Sequence, residues 1–262
     1  MKENQYRRPQ RRVEPVVEEN ENQLEGRNAL TEALRSGRTI DKVFIAAGET
    51  DRGLQRLAAE AKEAGAVVVP VDRRKLDAMS TTRAHQGVIA LAAARAYFTI
   101  DDILQEAADR GEAPLIVICD ELSDPHNLGA ILRSAECAGA HGVIIPKRRS
   151  VGLTAVVAKA SAGAVEYVKV AKVTNINAAI SELKEKGVWI FGTAAEGSIP
   201  MYQADLTGPA AIVIGSEGDG MSQLVRKNCD VTVHIPLKGN ITSLNASAAA
   251  SVLLYEAVRQ RI

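Results

Sequence analysis

Cysteine is scarce, with only Cys119, Cys137 and Cys229 in 262 residues and no C-x-x-C pair. An odd, scattered set argues against a disulfide framework and against a cysteine-held zinc. Aromatic residues make up only 3%, as five Tyr, three Phe and one Trp. That excludes a base-stacking platform of the RRM or OB kind. The four His are scattered, so no metal centre and no His-based catalytic pair is expected. No apolar run approaches the roughly 18 residues of a membrane span, and the first dozen residues are polar and charged. Neither a transmembrane anchor nor a secretory signal is expected, and the chain reads as cytoplasmic. Net charge is lacking as well. The 32 basic and 32 acidic residues cancel, so the whole chain is no cationic nucleic-acid clamp.

What is present is an ordinary globular composition, 46% hydrophobic and 24% charged. The length favours two domains over one. The charge is unevenly spread: residues 1–12 sum to +4 and residues 13–25 to −5. Neither stretch has a periodic apolar face, so residues 1–22 read as a disordered charged arm. Residues 23–96 read as a small α/β unit. Helical spacing at Ala29, Leu30, Ala33 and Leu34 is followed by a strand over Lys42–Ala47, and Gly37 sits where a cap belongs. A helix through Leu54, Leu57 and Ala61 stops at Gly65. The β-branched run Ala66–Val71 predicts a buried strand, and Gln86–Ala94 supplies another. Residues 97–112 are acid-rich around a short amphipathic pattern, Ile100–Ala108, and read as an interdomain linker, which suggests that the two units move. From 113 to 262 strands alternate with helical patterns. Leu115–Cys119, Gly142–Pro146, Val165–Val170, Val188–Phe191, Ala210–Ile214 and Val231–Ile235 are the expected strands. Such alternation argues for an α/β fold with a mostly parallel sheet and helices on both faces.

Three clusters carry chemistry. Directly after the strand Leu115–Cys119 comes Asp120 through Arg133, with Asp124 as an N-cap and Pro125 as the first helical residue. Asn127 then lies in the first turn, near free N–H groups that suit an anion. Arg133 is about 240° further round the helix, so the two need not share a face. The plain alternative makes Asn127 a capping side chain and Arg133 a surface partner of Glu136. The second cluster, Ile212 through Gly220, runs a buried strand into a loop with Glu217 and three glycines. Gly215, Gly218 and Gly220 are expected to allow positive φ and close backbone approach to a ligand. It is neither a Walker loop nor a dinucleotide fingerprint; a tight turn is the plain alternative. The third, Ile235 through Ser247, opens an alanine-rich last helix that Ser243 could cap. That helix suits a tight crossing or a subunit interface.

Taken together, DPHNLGAILRSAECAG, IVIGSEGDGM and IPLKGNITSLNASAA resemble, in order and wording, the three motifs of the SpoU (TrmH-type) RNA ribose 2′-O-methyltransferases. Residues 24–95, with LEGRNALTEAL and AHQGVIALA, resemble the substrate-binding domain of the branch that methylates a guanosine ribose in 23S rRNA. The resemblance implies a C-terminal SPOUT domain with a deep trefoil knot, a rare exception to unknotted topology. It implies S-adenosylmethionine held between the three loops, with backbone contacts at Gly215, Ile235 and Leu244 and with Thr193 at its border. It implies an active-site set of Asn127, Arg133, Glu217, Ser243 and Asn245, and a homodimer with the site near the subunit interface.

Free guanidinium holds its proton to a pKa above about 12, so Arg133 is better suited to grip phosphate than to act as a base. His126 is the nearest His, beside Asn127. Candidate phosphate contacts elsewhere are Arg27, Arg35, Arg38, Arg73, Arg74, Lys75 and the run Lys147, Arg148 and Arg149. The readings left open are a tRNA or rRNA-adenosine target, and a non-catalytic RNA-binding or assembly factor.

Overall fold

The computed structural model describes residues 22–262 except 49, 94, 95, 197 and 198. The charged arm therefore lies outside the described residues, apart from Asn22. The N-terminal unit comprises β1 (Gln23–Glu25), α1 (Arg27–Arg35), β2 (Ile40–Ala46), α2 (Arg52–Glu63), β3 (Val67–Val71), α3 (Arg73–Met79) and β4 (Val88–Ala92). Its sheet runs in the order β1-β4-β2-β3, with only β2 and β3 parallel. Helix α2 forms because Leu54, Leu57 and Ala61 share one buried stripe and Asp51 caps its start, accepting from Leu54 N at 2.9 Å. Strand β3 departs from expectation. Its β-branched run lies at the sheet edge, and Val67 is 57% exposed.

The C-terminal unit contains α4 (Ile100–Arg110), β5 (Leu115–Cys119), α5 (Pro125–Cys137), β6 (Gly142–Pro146), α6 (Ala155–Ala160), β7 (Lys169–Val173), α7 (Ile176–Glu185), β8 (Trp189–Thr193), β9 (Ile199–Pro200), β10 (Ala210–Ile214), α8 (Gln223–Asn228), β11 (Val231–His234) and α9 (Ala246–Arg261). The strands form a parallel sheet in the order β7-β6-β5-β10-β8-β11-β9. Every residue of β5, β6 and β10 is buried, which explains why these strands read as continuous apolar runs rather than alternating ones. The strand expected over Val165–Val170 is displaced: Ala164–Glu166 is a 3-10 turn after left-handed Gly163, and β7 follows it.

The stretch expected as a linker is instead mostly α4. Thr99 and Asp102 form a capping box, and Gly111 ends the helix in the left-handed region. Ile103 packs so closely over Gly142 that a Cβ there would sit 2.5 Å from it. The acidic residues lie on the outer face of a packed helix, so they set no free joint.

The two units share one apolar cluster, in which Leu24, Leu30 and Ala33 meet Leu128, Val157 and Val165. Arg38 reaches across to Glu166 at 3.3 Å, with side chains only 10% and 4% exposed, and Tyr167 donates to Glu32 at 2.6 Å. Arg38 is thus a docking residue, not the RNA contact expected of it. Arg27 and Arg35 are likewise engaged, with Asp51 and Glu32.

Glu25 is the polar knot of the small unit. Only 1% exposed, its carboxylate accepts from Gln23, from the Ser80 hydroxyl at 2.6 Å, and from the backbone and hydroxyls of Thr81 and Thr82. Lys159 of α6 donates to Thr82 and to the Ala84 carbonyl, tying that loop to the other unit. Burial alone would raise the pKa of Glu25, but the donors outweigh it and hold it down at about 2, against an ordinary 4.5. A depressed folded-state pKa gives stability that is complete above the unfolded value and lost as pH falls through the folded one. The group contributes on the order of 3 kcal/mol at neutral pH. Glu25→Gln is expected to lower unfolding free energy by about 2–3 kcal/mol at pH 7. The gap to wild type should close between pH 5 and pH 2 in urea titrations.

Candidate active site

Three chain segments converge at the carboxyl ends of the central strands. Strand order reverses between β5 and β10, and such a switch point leaves a crevice beyond the strand ends. Beside that point, at the ends of β8, β10 and β11, opens a cleft of about 610 Å³, lined by the chain after those strands and by the start of α9. Its walls are largely apolar or backbone, including Ile235, Leu237, Leu244 and Leu253.

The loop after β10 is closed on itself. Ser216 and Gly220 exchange backbone hydrogen bonds, each 3.0 Å long. This return brings Gly220 and Met221 so close to Gly215 that a Cβ at 215 would lie 2.2 Å from their backbone. Gly215 is therefore required by its own loop, not by a positive φ. Of the three glycines, only Gly220 is left-handed, at φ 67°. Asp120, at the end of β5 and 4% exposed, secures the other side of the loop by accepting from Ser222 N at 2.8 Å. Sequence reasoning did not single it out, because a carboxylate ending a strand carries no spacing signal.

Glu217, held on this loop, is the focus of the polar network. Its Oε1 accepts from Asn127 Nδ2 and, at 3.1 Å, from Asn245 Nδ2. Asn245 also donates to Asn127 Oδ1 at 2.9 Å. Asn127 is 4% exposed and fixed in the first turn of α5, where it donates to the N-cap Asp124 at 3.2 Å. Asn245 does two jobs at once. Its Oδ1 caps α9 by accepting from Ser247 N at 3.0 Å and Ala248 N at 3.3 Å, while its amide nitrogen faces Glu217 and Asn127. The cap of the last helix is thus Asn245, not Ser243.

Asn127, Glu217 and Asn245 are brought together as expected. Thr193, Gly215, Ile235, Ser243 and Leu244 all line the cleft, and Thr193 donates to the Val213 carbonyl at 2.8 Å. Arg133 is not among them. It stands exposed on α5, and among the described residues its side chain forms no hydrogen bond or ion pair, with Glu136 or any other. His126 is exposed beside Asn127 but joins none of these contacts through its ring. Beyond the 216–219 loop lies a second groove of about 440 Å³, lined by Glu121, Asp124, Arg149 and Glu217 among others.

Residues 114–255 match the model of the SpoU rRNA methylase family, and residues 23–98 match that of the RNA 2′-O ribose methyltransferase substrate-binding domain. The chain belongs to the SpoU rRNA methylase family. Among its relatives, YacO of Bacillus subtilis (strain 168), named for the TrmH family of tRNA/rRNA methyltransferases, is 47% identical over 90% of this chain and 94% of its own. A 23S rRNA (guanosine-2′-O-)-methyltransferase, RlmB of Ralstonia nicotianae, is 44% identical over 91% of this chain and 95% of its own. Among solved structures, the SpoU methyltransferase AviRb from Streptomyces viridochromogenes, in complex with AdoMet, superposes with a TM-score of 0.81. It is 26% identical and covers 91% of this chain and 89% of its own.

Two substitutions separate the scaffold from the network. Gly215→Ala is expected to lower the melting temperature measurably, because backbone and not a flexible side chain blocks the new methyl group. Asn245→Asp keeps the Oδ1 cap but faces Glu217 with a second carboxylate. Its melting temperature is expected to stay within a few degrees of wild type, while methyl transfer falls at least tenfold.

Proposed function

We propose that this protein is an S-adenosylmethionine-dependent RNA ribose 2′-O-methyltransferase that acts as a homodimer on a guanosine of 23S rRNA in the cytoplasm. The observation that carries this reading is the meeting of Asn127, Glu217 and Asn245 at the cleft. These residues come from three sequence-distant motifs of a SpoU chain. The cleft suits the cofactor: about 610 Å³ falls within the roughly 300–1,000 Å³ usual for small-ligand sites. Ile235, Leu237 and Leu244 offer apolar contact for an adenine, and Glu196, Glu217 and Asp219 offer negative charge for a cationic amino-acid moiety. Gly215, Ile235 and Leu244, with Thr193 at the border, are the residues that would hold it. When bound, S-adenosylmethionine supplies a methyl group on a positively charged sulfur.

The chain's own residues have the other tasks. Transfer to a ribose requires a fixed 2′-oxygen and an outlet for its proton. Glu217 Oε1 is engaged by two amides, and among the described residues Oε2 has no hydrogen-bond partner. Oε2 is therefore the atom to accept a hydrogen bond from the ribose. Asn127 and Asn245 keep that carboxylate from rotating, and Ser243 shapes the wall beside it. Arg133, gripping the adjacent phosphate bidentately, stabilises negative charge developing on the 2′-oxygen as its proton leaves along the hydrogen bond to Glu217 Oε2.

The isolated position of Arg133 supports the dimer. Helix α9 packs on α5 through Ser134 and Ser251, and it exposes Val252 and Tyr255 at 36% and 52%. A second copy seated there would cover this stripe and bring an Arg133 to a site it does not reach within one chain. The return of residues 235–245 against the 215–220 loop supports the knotted topology. The domain limits of 23–96 and 113–262 stand in this reading with one refinement, that α4 belongs with the second.

The test is transfer of a labelled methyl group from S-adenosylmethionine to protein-free total RNA of a strain lacking this gene. Label is expected in an alkali-resistant dinucleotide of 23S rRNA and should fall at least a hundredfold with Arg133→Ala. Label in tRNA would overturn the substrate, and cofactor binding without any transfer would favour an assembly factor.

A further inference from the structure

The 610 Å³ cleft contains one feature that no motif announces. Glu196, Glu217 and Asp219 are its acidic lining residues, and Arg226 is its one cationic lining residue among those described. Arg226 belongs to α8, and its Nη2 donates to the Glu196 carbonyl at 3.0 Å. Among the described residues it makes no ion pair, although three carboxylates line the same cleft. A guanidinium has five N–H donors, and a single carbonyl bond anchors the head while leaving most of them uncommitted. The proposed cofactor carries two positive groups, an ammonium and a sulfonium, and one negative group, its carboxylate. Three acids suit the first two, and only one lining residue suits the third.

We infer that Arg226 binds the carboxylate of the cofactor's amino-acid moiety, steadied for that task by the Glu196 carbonyl. The inference rests on the S-adenosylmethionine reading above and adds a binding residue outside the three motifs. Arg226 acts on affinity and takes no part in the transfer itself. The guanidinium is solvent-exposed, so its contribution is modest, and a loss of about tenfold in affinity is the scale for one charge-assisted contact, equal to about 1.4 kcal/mol.

Binding of two probes to the full chain tests it, by calorimetry, with wild type, Arg226→Ala and Arg226→Lys. S-adenosylhomocysteine retains the carboxylate, whereas 5′-methylthioadenosine lacks the whole amino-acid half. Arg226→Ala is expected to weaken the first about tenfold and the second less than twofold, with Arg226→Lys in between for the first. Equal weakening of both probes would overturn the inference, since it would make Arg226 only a tether for the loop at Glu196. So would no weakening of either. Wild-type protein that binds neither probe would overturn the cofactor reading itself, a result distinct from the other two.

Discussion

One carboxylate oxygen, Glu217 Oε1, accepts amide hydrogens from both Asn127 and Asn245, and the site takes its form from that shared acceptor. The three residues are spread over more than a hundred positions of sequence. Their meeting is specific because each is fixed before it arrives. Asn127 is buried in the first turn of α5, Glu217 rides a loop closed by reciprocal backbone bonds, and Asn245 is locked by capping α9. A hydrogen bond to a charged group contributes about 1.5–3 kcal/mol, but only where the partners lose little freedom in forming it. Preorganisation of this kind separates a site from a chance cluster of polar side chains.

The sheet makes that preorganisation available. Strands β5 and β10 are neighbours in register and buried along their whole length, so their ends cannot shift independently. The chain leaves β5 into the Asp120–Asn127 segment and leaves β10 into the Gly215–Gly220 loop. Two loops of different motifs are therefore placed side by side by one strand pairing. Asp120 then links them directly through Ser222. A register slip of one residue would shift one loop by about 3.3 Å along the other, so the strand pairing controls the position of the chemistry.

Much of this was legible in sequence, for identifiable reasons. The central strands announced themselves because full burial makes them uniformly apolar, and Asp124 with Pro125 marked the start of α5 correctly. The β-branched run of β3 misled because the same composition serves a buried strand and an edge one, and composition does not report neighbours. The segment 97–112 misled because its five acidic residues outweighed an amphipathic pattern that was present in Ile100, Ile103 and Ala107. Ser243 and Asn245 are both acceptable caps two residues apart, and only the path of the loop decides between them. Asp120, Arg226 and the Glu25 node were invisible because their partners, Ser222, the Glu196 carbonyl and the 80–82 loop, come from distant sequence.

Local charge explains what overall neutrality conceals. The residues lining the cleft include three acids and one base, a balance that admits a small cationic molecule and repels a polyanion. The neighbouring groove is similar, with Glu121, Asp124, Glu217 and Asp219 against Arg149. RNA phosphates must therefore be met outside both. Arg73, Arg74 and Lys75 on α3, and Lys147 and Arg148 after β6, are exposed, whereas Arg149 pairs with Glu121 in that groove and Arg27 and Arg38 are committed to structure. With so few aromatic side chains, the RNA grip that the proposed function requires is an electrostatic one. In the proposed reaction, selectivity depends on how accurately one ribose is presented to Glu217. The packed joint between the units suits that requirement: the buried Arg38–Glu166 pair and the shared apolar cluster hold the small unit in a fixed position relative to Glu217.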